Sequence, residues 1–202
     1  QTTGAEDIRW DMDALYKGLD DPRLDTDIAA WADAAKAFHA GHKGKLAATL
    51  PQAIRDFAEL SVLGTKPGVF LSFRLSLNTG DAAAKAKMAE LENKSSLIAA
   101  EYLEFFEHEL VAVDDKVIRE YAAKDGYVAK HLPWIELIRV FKPHLLPEQI
   151  EAALTKRSPF GPGSWSEFFD EFEADLRFPW KGGQAILNEL LHLLSTEKDA
   201  AV

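Results

Sequence analysis

The segment DAAAKAKMAELENKSSLIAAEYLEFFEHELVAV, Asp81 to Val113, contains neither proline nor glycine. Ala84, Met88, Leu91, Ser95, Ile98, Tyr102 and Phe105 recur in it at alternating spacings of four and three, which sets them on one face of a helix. Near its end a second apolar row joins, Leu103, Phe106, Leu110 and Val113, so this part is expected to be buried on more than one side. At about 1.5 Å per residue the helix would be about 50 Å long. Asp81 follows Gly80 and suits the N-cap, where a carboxylate accepts from the free N–H groups of the first turn. Packing supplies most helical stability in proteins, so a rod with one apolar stripe requires neighbours.

The flanking sequence supplies them. Trp10, Leu15 and Tyr16 read as anchors onto the body, and Asp20-Asp21-Pro22 turns the chain into a first helix with Leu24, Ile28, Trp31, Ala35 and Phe38 inside. That helix stops at Gly41 to Lys45. A second is expected from Leu50-Pro51 to Gly64, and a third, central one from Pro67-Gly68 to Leu77. After the long helix, Asp114-Asp115 caps a short helix to Ala123. A sixth spans about 128–142, or begins only at Pro133 near that start, with Trp134, Leu137, Ile138 and Phe141 on its apolar face. A seventh follows with Ile150, Ala153 and Leu154 inside. Ser164 and Glu167 form an S-x-x-E capping box before Trp165, Phe168, Phe169, Phe172 and Leu176, spaced as one helical face. Phe178 to Gly183 reads as a short hairpin, and Ala185 to Ser195 as a last helix. The expected fold class is all-α, antiparallel helical hairpins or a bundle built around the helix at about 81–113.

Composition bounds the function. The 202 residues suit a single domain, 47% of them apolar and 28% charged. A formal charge of −10 argues against nucleic acid and against an anionic membrane surface, both of which need clustered Lys and Arg. No apolar run approaches the roughly 20 residues of a membrane span. The polar, acidic Gln1 to Asp7 is unlike a signal peptide, and the absence of cysteine removes disulfides, thiol nucleophiles and thiolate metal sites. A cytoplasmic location is expected.

The candidate chemistry is thin. His108-Glu109-Leu110-Val111-Ala112 begins like the H-E-x-x-H of zinc peptidases, which needs two imidazoles one turn apart. Ala112 stands where the second would be, so His108 reads as an ordinary polar-face residue. Glu189-Leu190-Leu191-His192 is a lone E-x-x-H, whereas a di-iron bundle needs two and further carboxylates. His39 and His42 end the first helix, where a cation suits the dipole, and read as C-terminal capping residues. His131 and His144 flank the sixth helix without an obvious partner. Asp170, Glu171, Glu173 and Asp175 read as a solvated helix face. There is no G-x-G-x-x-G, no G-x-x-x-x-G-K-[ST] and no G-x-S-x-G. The residues therefore nominate no catalytic, cofactor-binding or metal site.

An ordered set of segments carries a resemblance. Trp10-Asp11-Met12-Asp13-Ala14-Leu15-Tyr16 resembles the W-D-L-x-x-L-Y opening of oligoendopeptidase F and related thimet-type zinc peptidases, with Met12 in place of Leu. Gly44-Lys45-Leu46 resembles the G-K-L that follows in that family, and the helices ending at Asn78-Thr79 resemble those before its D-T-x-D bend. Pro143-His144-Leu145-Leu146 is similar to P-H-x-L, Ser164-Trp165 with Phe168 and Phe169 to (A/S)-W-x-x-L-F-D-E, and Leu176-Arg177-Phe178 to L-x-F. Order and spacing agree from about residue 8 to 196.

The resemblance covers only the family's N-terminal helical part, since its H-E-x-x-H and further Glu lie downstream. It implies that residues 1–202 form one α-helical N-terminal domain, with the catalytic domain beginning at about 179–202. Such a domain would wall a deep cleft, restrict entry to short peptides, and be inactive alone. The implied cofactor is none in this chain and Zn in the missing catalytic domain. The implied partners are the chain's own catalytic domain and oligopeptide substrates, with no nucleic acid and no membrane. A stand-alone helical interaction module, forming a homo-oligomer through an exposed domain face, is the alternative.

Overall fold

The structure, a computed structural model, describes residues 11–196. Trp10, expected as an anchor, and the acidic Gln1 to Asp7 lie outside the described residues. The chain divides into two compact units that part between Arg157 and Ser158. Apart from one two-stranded hairpin, the regular structure is helical.

In the first unit, α1 (Pro22–His42) packs against α2 (Leu46–Leu77). The Asp21 carboxylate accepts from the N–H of Arg23 and of Lys17 and pairs with the Arg23 guanidinium, so it closes the start of α1 and holds the preceding turn to it. At the other end Gly44 takes a φ of 76°, a left-handed conformation that glycine adopts without a Cβ penalty. The two helices expected on either side of Gly64 and Pro67 are one helix, α2. Gly64 does not end it because it is a packing glycine. The Trp31 indole of α1 lies 2.5 Å from where a Cβ on Gly64 would sit. Pro67 interrupts the hydrogen-bond ladder but its ring is buried in the interface. The last turns of α2 are also less central than expected: Phe70 and Leu71 are buried, whereas Phe73 and Leu77 are exposed.

The long rod forms as α3 (Ala82–Ile98), one π turn (Ala99–Leu103) and α4 (Glu104–Ala112). Asp81 is its N-cap, accepting from the Ala84 N–H at 3.0 Å, and that bond together with the Arg74 guanidinium holds its carboxyl below the usual carboxylate range. The first apolar row buries Ala84, Leu91 and Phe105, and the second buries Phe106, Leu110 and Val113.

α5 (Asp115–Lys124) is capped by Asp114, and α6 (Gly126–Val140) by Asp125, whose carboxylate also binds the Arg55 guanidinium of α2. α6 therefore starts before Pro133 rather than at it. Its buried face is Val128 and Ile135, with Trp134 and Ile138 half-buried; Leu137 and Phe141, expected inside, are exposed. A 3₁₀ turn (Lys142–His144) leads to α7 (Glu148–Arg157).

Two apolar clusters result. The larger joins Trp31, Phe38, Leu50, Phe105, Phe106 and Ile135 with their neighbours, and the smaller joins Tyr16, Leu24, Ile28, Phe70, Leu71 and Leu91. Phe57 stacks on Phe106 at 4.4 Å between ring centres, inside the larger one. Tyr16 is fully buried and donates its hydroxyl to Asp27 at 2.8 Å, which confirms it as an anchor.

The second unit opens with a 3₁₀ turn (Ser158–Phe160), followed by α8 (Pro162–Asp175), strands β1 (Phe178–Trp180) and β2 (Gly183–Ala185), and α9 (Leu187–Thr196). The strands pair antiparallel, with Phe178 opposite Ala185. Their two-residue turn is Lys181-Gly182, both at positive φ, the conformation that matches the twist of a hairpin. The capping box does not form. α8 starts before Ser164, and the Ser164 hydroxyl instead donates to the Pro159 carbonyl at 2.6 Å.

Candidate functional site

Three of the six histidines, His39, His42 and His131, are spent on packing. His42 does not cap α1 from the surface; it is buried, with Nδ1 hydrogen-bonded to the Thr49 hydroxyl at 2.9 Å and Nε2 donating to Asp56 at 2.8 Å. It ties the end of α1 to the first turns of α2. His39 lays its ring edge-on to Tyr102 and Phe105. His131 finds the partner that the sequence did not show: its ring lies against Tyr127 at 4.3 Å and Nδ1–H donates to that residue's carbonyl. His144 is exposed in the 3₁₀ turn.

In the His108-Glu109 pair the carboxylate is already engaged by backbone donors. Both Glu109 oxygens are occupied, one accepting from the Gly44 N–H at 2.6 Å and the other from the Leu46 N–H at 3.3 Å. Glu109 thus supplies the cap that α2 lacks at its own N-terminus. His108 Nε2 is buried with no hydrogen-bond partner, and Ala112 offers no ligand. This donor set does not fit zinc. The Glu189 carboxylate accepts from the Ile186 N–H at the start of α9, a capping role rather than a ligating one. Among the described residues no group of three or more His, Asp or Glu is placed to hold a metal ion. No helix among them is long and apolar enough to cross a membrane.

The unusual surface is apolar, and α7 accounts for part of it. Its sequence face Ile150, Ala153 and Leu154 was expected inside. The structure turns that face outward: Ile150 and Leu154 are each 48% exposed. The inward face is Glu148, Glu151, Ala152 and Thr155. Glu148 pairs with Lys43 at 2.6 Å, and the Thr155 hydroxyl donates to Glu104 on α4 at 3.2 Å. Burial raises the Glu104 carboxyl above its usual range; the Thr155 bond opposes this, Glu151 and Glu107 reinforce it, and His108 opposes it. α7 is thus seated by polar contacts with its oily side out. Leu137, Val140 and Phe141 at the end of α6 are exposed as well.

In the second unit α8 buries no residue at all. Trp165, Phe168, Phe169 and Phe172 are 72%, 58%, 61% and 55% exposed. Its acidic residues do lie on a solvated surface, as expected, but so does its aromatic face. Monomeric proteins rarely leave a contiguous stripe of this kind open unless it meets something.

Among the described residues the fold is all-α apart from the hairpin, and α6, α7 and α8 leave large apolar side chains uncovered. Residues 109–178, about a third of the chain, match the family model described as Oligopeptidase F, the N-terminal domain of M3 peptidases. The match takes in the segment that holds Pro143-His144-Leu145-Leu146, Ser164-Trp165 and Leu176-Arg177-Phe178, three of the motifs that carry the resemblance. No curated protein matches the chain, and no solved structure does.

Proposed function

We propose that this protein is the non-catalytic N-terminal domain of an oligopeptide-hydrolysing metalloendopeptidase, in which it forms one wall of the substrate cleft and limits entry to short peptides. The observation that carries the reading is a coincidence of position. The matched segment, 109–178, is the one that bears the outward apolar faces of α6, α7 and α8. A segment that leaves 11 large apolar side chains uncovered is suited to pack against a further part of its own parent.

On this reading residues 1–202 belong to one N-terminal domain and the catalytic part begins at about 179–202. That part would bring the H-E-x-x-H and the zinc, which supplies an activated water for peptide hydrolysis. Among the described residues no group is placed to hold the metal. The residues of this chain would position the cleft wall, and the parent would work in the cytoplasm.

The test is to assay the purified chain on a library of quenched oligopeptides with added zinc, and then with the H-E-x-x-H-bearing remainder of the parent supplied as a separate polypeptide. The expected result is no turnover by the chain alone, a stable complex with the remainder, and turnover by the complex. Chelator-sensitive turnover by the chain alone would overturn the reading, and so would a remainder that ignores it.

A further inference from the structure

α8 presents two features at once. Its aromatic stripe, Trp165, Phe168, Phe169 and Phe172, runs at i, i+3, i+4 and i+7, the anchor spacing of a helix that lies in a groove. The rest of the helix carries Glu167, Asp170, Glu171, Glu173 and Asp175 and no Lys or Arg. Such a helix calls for an apolar seat bordered by cations.

The outward face of α7 has that character, in a chain whose formal charge is −10. Ile150, Ala153, Leu154 and Arg157 again run at i, i+3, i+4 and i+7, so the apolar face ends on a guanidinium. Lys142, Lys156 and Arg157 are exposed, and none is paired with an acid among the described residues.

We infer that the isolated chain forms a twofold dimer in which α8 of each copy seats its aromatic stripe on the outward face of α7 of the other. The exchange is reciprocal, the same two faces being used in each copy, as a twofold interface requires. Size is sufficient. Four aromatic side chains more than half exposed offer about 500 Å² per helix, and two reciprocal contacts counted on both sides bury about 2,000 Å², within the range of stable specific interfaces. Charge complementarity sets the pairing, acidic α8 against the cationic end of α7, and makes the dimer salt-sensitive. The inference concerns the chain by itself. A monomer would overturn it and leave the cleft-wall reading standing, which the turnover assay decides separately.

Sedimentation velocity of the full chain from about 1 to 100 μM is the test. The expected result is a monomer–dimer transition that weakens as salt is raised. F168E combined with F169E, at exposed positions that leave the fold intact by circular dichroism, is expected to weaken the dimer at least 100-fold. R157E is expected to weaken it about tenfold, and the added substitution E173K to restore it. A monomer across the whole range, or a dimer indifferent to both the α8 and the α7 variants, would overturn the inference.

Discussion

The Glu109 carboxylate on α4 accepts the backbone N–H of Gly44, 65 positions away in sequence, at 2.6 Å, and that of Leu46 at 3.3 Å. One side chain thereby closes the turn between α1 and α2, caps α2, and fixes the end of the long rod against both. Charge-assisted bonds to backbone N–H groups are stronger than neutral ones. E109A is expected to cost about 1.5 kcal/mol, a fall in Tm of about 3–6 °C for a chain of this size. E107A, an exposed acid on the same helix, is expected to change nothing measurable. A thermal melt of the two variants checks this, and equal shifts would refute the capping role.

Gly64 provides a test of sign. By helix propensity, Ala in the interior of α2 should be better than Gly by about 1 kcal/mol. The Trp31 indole occupies the space a Cβ needs, with three ring atoms at 2.5–2.9 Å. G64A is therefore expected to destabilise the protein by about 1–3 kcal/mol through overpacking, read as a lower urea midpoint with an unchanged slope. A stabilised G64A would show that α1 and α2 are not held this closely.

Glu104 gives the protein a pH dependence of known direction. Its folded-state pKa is raised, chiefly by burial beneath α7. A carboxyl that holds its proton more tightly when folded contributes stability below its unfolded pKa, about 4.3. That contribution is lost as pH rises through the folded value. E104Q keeps an acceptor for the Thr155 hydroxyl and removes the titration. It is expected to be more stable than the parent at pH 7, with the gap closing toward pH 4. Urea melts at the two pH values decide the matter, and a gap that widens in acid would reverse the assignment.

Where the physics was local, the sequence was sufficient. Asp81 sits one residue before a long apolar period, and the rod begins there; Lys181-Gly182 lies between two short aromatic and small-residue strands, and the hairpin turns there. Errors arose where a local signal was overruled by a neighbour. Gly64 and Pro67 look like a helix end, but Trp31 needs the missing Cβ and the interface buries the proline ring. Periodicity marked Ile150, Ala153 and Leu154 as one face of α7 correctly, yet it carries no information about which way that face points. The choice depends on Lys43, more than a hundred residues earlier, and on Glu104. The same limit hid the roles of His42 and Glu109. Each was visible as a titratable residue at a helix end or on a helix face, but its partners come from other turns of the chain. The π turn at Ala99–Leu103 has no signature in the apolar spacing, which reads smoothly through it.

The two apolar clusters sit at opposite ends of the same helices. α1 and α2 each contribute to both, and on the rod Met88 and Leu91 serve the smaller while Phe105, Phe106 and Leu110 serve the larger. The smaller has few members and is closed on one side by the segment around Tyr16. It therefore has the makings of a separate cooperative unit, able to open while the larger stays intact. Amides near Phe70 and Leu91 would then exchange with solvent through partial opening, whereas those around Phe106 and Leu50 would exchange only when the whole first unit unfolds.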